Sequence, residues 1–283
     1  MAKSSYTPGV FSQTTVIVGS AKPKPPIFVL RPRHVFGALA AVFFLIALYL
    51  FGYEPGYTGK LVIQAPRPLI LASRSVGSTL PENSGQAVDR AMNAGLDGVG
   101  AEAQMASGDR LTVSLGGTPL GSFQEFVRSI KGRGLATVEL DAPGLTATGI
   151  ERMAVEIIRR YDAHLSVVLS SSNPMVLWRV KQIDPLVRTS YIAIDSESDA
   201  KANVSWIMRQ EFIRRAVRKF VQVDLLSVDH RVDDAVTDRL IAKGWPVLIW
   251  GPTTEPEIRG VIARHPYGVI SDQATLVRGL RGD

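Results

Sequence analysis

Short apolar segments and longer amphipathic segments alternate along the chain from residue 68 to its end. The short segments are rich in β-branched residues, which is typical of strands, and the longer ones repeat their apolar residues at helical spacing. The predicted strands are 69–73, 98–105, 135–141, 165–171, 190–195, 220–228, 246–251 and 267–272. Helical segments such as 84–95, 148–162, 173–184 and 233–244 lie between them, and several begin at a capping residue and end at Gly.

Apolar strands that are separated by helices indicate a parallel sheet buried on both faces, and therefore an α/β fold. Eight such strands within roughly 220 residues match a (β/α)8 or TIM barrel over residues 68–283. A doubly wound open sheet shows the same alternation, because the number of strands alone does not show that the sheet closes. Both folds place functional side chains at the carboxyl ends of the strands.

An uncharged apolar segment precedes this region at residues 35–53, and its about 19 residues are enough for a helix to cross a membrane. A cleaved signal peptide is the alternative, but its apolar run has roughly 7 to 15 residues and is followed by a small-residue cleavage site. Residues 54–60 offer no such site. We therefore expect a single N-terminal transmembrane helix at 35–53, a disordered tail at 1–34 and a linker at 54–67.

The charges are distributed unevenly about this apolar segment. Five of the formal net +6 precede it, with no Asp or Glu among residues 1–34, and they belong to Lys3, Lys22, Lys24, Arg31 and Arg33. The remaining 27 basic residues nearly balance 26 acidic ones, which argues against a nucleic-acid partner. The positive-inside rule then predicts a cytoplasmic N-terminus and a barrel outside the cell membrane. The absence of Cys excludes disulfides and thiolate metal sites.

Residues 206–220 are predicted to form an amphipathic helix that is rich in cations, namely Arg209, Arg214, Arg215, Arg218 and Lys219. A solvent-exposed outer helix of the barrel explains this pattern. Alternatively, the basic face contacts anionic lipid or a neighbouring membrane protein, because an anchor would keep the domain close to the bilayer.

Polar residues follow most of the predicted strands, where the functional residues of a barrel lie. Arginine binds anions, carboxylates bind Mg²⁺ or Ca²⁺, and histidine exchanges protons. The residues in question are Ser73, Arg74, Glu102, Glu139, Asp141, His230, Trp250 and Asp272. A polar rim is common to barrels of many functions, so these residues alone do not define an activity.

The order and spacing of several motifs in residues 68–277 resemble the glycerophosphodiester phosphodiesterase family. "LASRS" and "PENS" are similar to the family's A-H-R-G and P-E-N-T, and "LDGVGAEAQ" is similar to its A-D-x-[IV]-E-x-D strand. "TVELD" is similar to I-E-x-K, "SSSNP" to S-F-N-P, and "GVISD" to the closing G-I-x-T-D. The resemblance implies a TIM barrel and a phosphodiester substrate.

In that family two histidines act as general base and acid, and three carboxylates hold a divalent cation that polarises the phosphodiester. The resemblance places the first histidine at Ser73 and the second near Leu115. It places the three carboxylates at Gly100, Glu102 and Glu139. Both proton-transfer groups and one metal ligand are therefore replaced in this sequence.

These replacements predict a catalytically inactive member of the family that acts as a binding or scaffold subunit. The ligand-binding positions that the resemblance retains would suit a small phosphate-containing ligand, and they are Arg74, Glu82, Asn83 and Trp250. A structural role for Arg74 is also open, in which it pairs with Glu102 or Glu139.

The alternative function is a metal-dependent phosphodiesterase that acts on glycerophosphodiesters or envelope polymers. His230, beside Asp229 after the sixth predicted strand, would then be the substitute catalyst. Mg²⁺ or Ca²⁺ would be held by oxygen ligands from Glu102, Glu139 and Asp141.

Overall fold

The structure is a computed structural model that describes residues 32–48, 67–74, 76, 83–108, 110–142, 148–193 and 220–282. The strands are β1 Leu69–Ala72, β2 Gly98–Ala106, β3 Arg110–Leu115, β4 Thr118–Ser122, β5 Leu135–Leu140, β6 Val167–Ser171, β7 Arg188–Ala193, β8 Leu225–Asp229, β9 Val247–Trp250 and β10 Gly268–Ser271. The helices are α1 Pro32–Ala47, α2 Ser84–Asn93, α3 Phe123–Ile130, α4 Ile150–Arg160, α5 Pro174–Ile183, α6 Asp234–Ala242, α7 Glu255–Ala263 and α8 Ala274–Arg281.

Eight parallel strands form a closed barrel. Strands β2, β5, β6, β7, β8, β9, β10 and β1 are neighbours in that order, and β1 pairs with β2 as well as with β10. These strands are the eight that the sequence predicts, so the TIM barrel is confirmed and the open doubly wound sheet is wrong. The confirmed strand β8 begins at Leu225, later than predicted, because Phe220 and Val221 still belong to a helical turn.

Two layers of apolar side chains fill the space inside and outside the barrel wall. The interior cluster consists of Leu69, Leu71, Leu135, Val168, Leu225, Leu248, Tyr267 and Ile270, with Trp250 packed against it. A larger cluster lies between the strands and the helices, and includes Phe123 and Phe126 of α3. The interior residues come from alternate positions of each strand, which is the strand periodicity that points every second side chain inward.

An antiparallel hairpin, β3 and β4, follows β2 and was not predicted as strands. Burial alternates along β3, with Leu111, Val113 and Leu115 buried, as a two-residue period requires. The hairpin turns at Gly116 and Gly117, whose φ angles of 55° and 80° are positive and therefore favour glycine. The hairpin pairs with β2 and extends the sheet beyond the closed barrel.

Helix α1 belongs to the first of two compact units of the chain, residues 1–45 and 46–283. It has 16 residues and covers only part of the predicted transmembrane segment, because residues 49–53 lie outside the described residues. In the described part of the chain, no helix has both the length and the apolar character that crossing a membrane requires. Glu82 and the predicted helix at 206–219 also lie outside the described residues.

Candidate functional site

A cavity of about 390 Å³ opens at the carboxyl ends of the barrel strands. It lies directly above the interior apolar cluster, and Ile270 and Trp250 belong to both. Its lining includes six of the candidate residues named from the sequence, together with Gly100 in β2, and these six are Ser73, Arg74, Glu102, Glu139, Trp250 and Asp272. Cavities at this end of a barrel are the usual place for ligands. We refer to this cavity as the mouth.

Arg74 and Ser73 are both held by Asp272, which follows the last strand. The distance from Arg74 Nε to Asp272 Oδ2 is 2.8 Å, and Ser73 Oγ donates to Asp272 Oδ1 at 2.5 Å. These residues meet because β1 and β10 are paired in register, with Ala72 opposite Ser271. The structural alternative for Arg74, a pair with Glu102 or Glu139, is therefore wrong, since its partner is Asp272.

The tip of the hairpin forms one side of the mouth. Gly116 packs against Arg74 so closely that an added Cβ would lie 2.4 Å from Arg74 Cγ. Leu115, at the position near which the resemblance places the second histidine, is only 2% exposed and points into the hydrophobic core. The hairpin tip therefore presents Gly116 to the mouth, and Leu115 provides no proton-transfer group there.

Glu102 and Glu139 lie side by side on β2 and β5, because their Cα atoms are register partners. Burial, together with the charges of Glu102 and Asp141, raises the pKa of Glu139 from 4.5 to about 7. Asp141 does not line the mouth, but lines a second cavity of about 500 Å³ between the hairpin and β5, which Glu102 and Glu139 also reach. The three carboxylates thus share one region, and burial and acidic neighbours disfavour ionisation of Glu139.

The position of the missing carboxylate, Gly100, is closely surrounded. A Cβ added there would lie 3.0 Å from Ile270 Cγ2 and 3.3 Å from Thr137 Oγ1. Ile270 therefore occupies the space into which a side chain at residue 100 would extend. Glycine at this position fits the local packing, and a glutamate would require Ile270 to move.

The carboxylates of the mouth do not fit the three-carboxylate metal site that the resemblance implies. In the described ranges, no group of three or more His, Asp or Glu side chains is arranged to hold a metal ion. Glu102 and Glu139 remain, but Gly100 provides no ligand and Asp141 belongs to the second cavity.

His230 lies near the mouth but faces away from it. Its Nδ1 is 3.3 Å from Asp229 Oδ1 and its Nε2 is 3.8 Å from Glu257 Oε1. Gly251 packs on the ring, where an added Cβ would lie 3.1 Å from Nδ1. The cavity lining does not include His230.

The carboxylates beside His230 are each held by other groups. Burial opposes ionisation of Asp229, but hydrogen bonds from Arg231 outweigh it, so the pKa of Asp229 lies below its usual value. Backbone N–H groups of Thr253 and Thr254 lower the pKa of Glu257 to about 2. Both carboxylates therefore have structural partners, and the surroundings of His230 do not form a pair aimed at a ligand.

Three predicted ligand-binding positions remain, and the structure describes two of them, Trp250 and Asn83. Trp250 lines the mouth, as predicted. Asn83 caps helix α2, where its Oδ1 accepts a hydrogen bond from the Gln86 backbone N–H at 3.0 Å. It is not among the lining residues of the mouth, and Glu82 lies outside the described residues.

Sequence reasoning missed the hydroxyl groups that line the mouth, which belong to Thr137, Ser170 and Ser227. These residues lie on β5, β6 and β8, at inward-facing positions above Leu135, Val168 and Leu225. Their position two residues beyond a buried apolar residue on the same strand was a usable signal. The role of Asp272 was missed because it depends on the closure of the barrel between its first and last strands.

The comparison with solved structures finds the same fold in glycerophosphodiester phosphodiesterases, at low sequence identity. A protein from Galdieria sulphuraria that is provisionally assigned to these enzymes matches with a TM-score of 0.63 and 12% identity, over 80% of this chain and 100% of its own. The glycerophosphodiester phosphodiesterase of Thermotoga maritima matches with a TM-score of 0.57 and 17% identity, over 77% and 100% of the two chains.

A third match is a phosphodiesterase from Oleispira antarctica in complex with its product sn-glycerol-3-phosphate, with a TM-score of 0.57 and 13% identity over 83% of this chain and 99% of its own. No protein-family model matches the sequence. The search of curated proteins gives no match either. What the similarity establishes is architecture: this chain has the glycerophosphodiester phosphodiesterase fold, a parallel eight-stranded barrel surrounded by helices.

Proposed function

We propose that this chain is a membrane-anchored, extracytoplasmic barrel that binds a ligand or a partner without hydrolysing a phosphodiester. The observation that carries the proposal is the lining of the mouth, which includes no histidine among the described residues. Ser73 takes the position of the first histidine, and its hydroxyl is bonded to Asp272. The Ser73 hydroxyl does not exchange a proton near neutral pH as an imidazole does.

The expected loss of rate is large. General acid or base groups contribute about 10² to 10⁴ in rate each, so the loss of both removes most of the acceleration. The mouth also lacks the third carboxylate, and Ile270 fills the space beside Gly100. The remaining pair, Glu102 and Glu139, offers only two carboxylates to the cation that would be needed to neutralise a phosphodiester.

Arg74 supports a role in binding a small phosphate-containing ligand. Its side chain is 66% exposed, and Asp272 contacts it through Nε. An exposed guanidinium at the rim of the mouth suits an anion, because its planar fork of donors matches the oxygens of a phosphate. Trp250 and the hydroxyls of Ser170 and Ser227 line the cavity below.

Helix α1 supports the anchoring part of the proposal. Large apolar side chains are exposed along its length, including Phe36 at 76% and Phe43 at 74%. Exposed apolar surface on this scale would be costly in water and is compatible with lipid. The basic residues before position 35 support a cytoplasmic N-terminus, and segment 206–220 is the proposed contact with anionic lipid or a membrane-protein partner.

The decisive experiment measures hydrolysis by the full chain in detergent micelles. Glycerophosphocholine is offered as the substrate in three assays, one with Mg²⁺, one with Ca²⁺ and one with EDTA. An active glycerophosphodiester phosphodiesterase is the positive control. We expect release of glycerol phosphate at the buffer rate under all three conditions. Metal-dependent turnover that is lost in Glu139→Gln and in His230→Ala would instead establish the alternative, a phosphodiesterase with a rearranged site.

A further inference from the structure

Three large apolar side chains are exposed on consecutive loops at the amino end of the barrel, opposite the mouth. Leu165 precedes β6, Leu186 precedes β7, and Phe220 lies five residues before β8. Their exposed fractions are 67%, 72% and 64%. Because β6, β7 and β8 are adjacent strands, these loops are neighbours on one surface. We call this surface, defined by the three residues, the amino-end apolar face.

The packing of the barrel does not account for these side chains. The apolar residues that anchor the same loops are others, such as Val187 and Val221, which are buried. Isolated exposed leucines are common on protein surfaces, but several large apolar side chains on neighbouring loops indicate contact with an apolar partner. The amino-end apolar face is therefore a candidate docking surface.

Exposed cations lie on one side of this face, and one of them, Arg133, pairs with Asp89. Lys131 and Arg133 lie in the loop before β5, and Arg160 ends helix α4, next to the loop that carries Leu165. Asp162 is an exposed carboxylate in the same loop as Leu165. Apolar side chains flanked by lysine and arginine are the combination that binds the interfacial region of an anionic bilayer. The charge therefore favours lipid over an apolar protein groove.

The position at which the chain enters the barrel also favours lipid as the partner. Strand β1 begins at the amino end of the barrel, and Arg67 precedes it there. The proposed anchor at 35–53 leaves residues 54–66 before Arg67, which can extend at most about 45 Å. The anchor therefore tethers the barrel by the end that carries Leu165, Leu186 and Phe220.

We propose that the amino-end apolar face rests on the lipid surface of the membrane that holds the anchor. Leu165, Leu186 and Phe220 enter the interfacial region, and Lys131, Arg133 and Arg160 lie at the level of the headgroups. The proposal rests on the anchoring part of the proposed function. It adds a fixed orientation of the barrel on the bilayer, which an anchor alone does not impose.

The test uses the full chain, which contains no Cys and therefore accepts a single label. Leu186→Cys is labelled with an environment-sensitive fluorophore and reconstituted into vesicles of phosphatidylcholine and phosphatidylglycerol at about 3:1, with or without brominated acyl chains. Ser107→Cys is the matched control, because Ser107 is exposed beyond the end of β2, at the opposite end of the barrel. We expect the label at 186 to be quenched at least about twofold more than the label at 107.

A second variant tests the apolar contact itself. Leu165→Asp with Phe220→Asp, in the Leu186→Cys chain, changes exposed side chains only and should reduce the quenching at 186 to the level seen at 107. Equal quenching at 186 and 107 in the parent would overturn the proposal, and so would unchanged quenching in the double variant. A surface that binds a protein would also leave both labels unquenched in these protein-free vesicles, which overturns the lipid assignment.

Flotation of the same vesicles separates the failure of this proposal from the failure of the proposed anchor. A chain that floats with the vesicles but shows no preferential quenching at 186 is anchored and not docked. A chain that does not float is not anchored, and then the orientation proposal falls together with the anchoring on which it rests.

Discussion

Arg74 and Asp272 join the first and last strands of the barrel at the rim of the mouth, with 2.8 Å between Arg74 Nε and Asp272 Oδ2. The pair closes the ring of side chains where β1 meets β10, and Asp272 also accepts a hydrogen bond from Ser73. Because Arg74 is largely exposed, this ion pair is expected to stabilise the fold by only about 0.2 to 1 kcal/mol.

Arg74 is therefore predicted to matter more for ligand binding than for stability. Glycerol 3-phosphate should raise the melting temperature of the parent, and Arg74→Ala should abolish this increase, since a ligand at 100 times its Kd stabilises the folded state by about 2.7 kcal/mol. Differential scanning fluorimetry measures both effects. Asp272→Asn, which releases the guanidinium, should enlarge the response, and Arg128→Ala on α3 is the control. A parent without any response, together with a large loss of stability in Arg74→Ala, would show a purely structural arginine.

Glu139 is predicted to make stability depend on pH between 4.5 and 7. Its pKa is raised from 4.5 to about 7 in the folded chain, so the folded state binds this proton more tightly than the unfolded state. The free energy of unfolding should therefore fall as the pH rises through this window. Glu139→Gln should remove this pH dependence. At pH 8 it should raise the free energy of unfolding by at most about 3 kcal/mol, because solvent at the mouth reduces the effect. Urea unfolding at a series of pH values measures it.

The control for this prediction is Glu156→Gln, which changes an exposed carboxylate on α4. This variant should keep the pH profile of the parent. If Glu139→Gln also keeps it, burial and the neighbouring carboxylates do not disfavour ionisation of Glu139 as described.

Gly100→Ala is predicted to destabilise the barrel by about 1 to 3 kcal/mol through overpacking, because its Cβ would lie 3.0 Å from Ile270 Cγ2. The effect should shrink in an Ile270→Ala background, and a double-mutant cycle from urea unfolding measures this coupling. Gly260→Ala on α7 is the control, since an added Cβ meets nothing within 4 Å there and should be neutral or stabilising. If the effects of Gly100→Ala and Ile270→Ala on the free energy of unfolding are additive, Ile270 does not restrict the side chain at residue 100.

The orientation of the chain is predicted from the cations before residue 35. Protease added to intact cells or spheroplasts should remove the barrel and spare a tag placed at Met1, because the N-terminus is expected in the cytoplasm. Immunoblotting for the tag and for the barrel gives the answer. A barrel that survives until the cells are lysed would reverse the orientation.

The parts of the fold that follow from local periodicity could be predicted from the sequence. The eight barrel strands and helices such as α2 and α5 follow from apolar spacing, and Asn173 caps α5 as its position suggests. The hairpin was missed although residues 110–115 alternate between exposed and buried positions, because these residues were interpreted through a family motif. A short strand that leaves the barrel has no helix after it to mark it as part of the repeating pattern.

The site was predictable only where it follows from strand ends. Arg74 lines the mouth because it follows β1. Inward-facing positions of β2, β5 and β9 bring Glu102, Glu139 and Trp250 to the same cavity. The position of the His230 ring could not be predicted, because it packs against Gly251 after β9 and lies 3.8 Å from Glu257 of α7, which are distant in sequence. Contacts between residues that are far apart in the sequence decide such orientations, and these contacts cannot be predicted from a single sequence.

The chain arrives at the amino end of β1, whereas the mouth opens at the carboxyl ends of the strands. In the proposed orientation, with the amino-end apolar face on the bilayer, the length of the strands separates Arg74 from the membrane. A phospholipid of the same membrane would have to leave the bilayer to reach that guanidinium, but a headgroup already freed of its acyl chains would arrive by diffusion. Occupancy of the mouth would then follow the concentration of soluble lipid breakdown products, and the protein would respond to deacylation rather than to intact lipid.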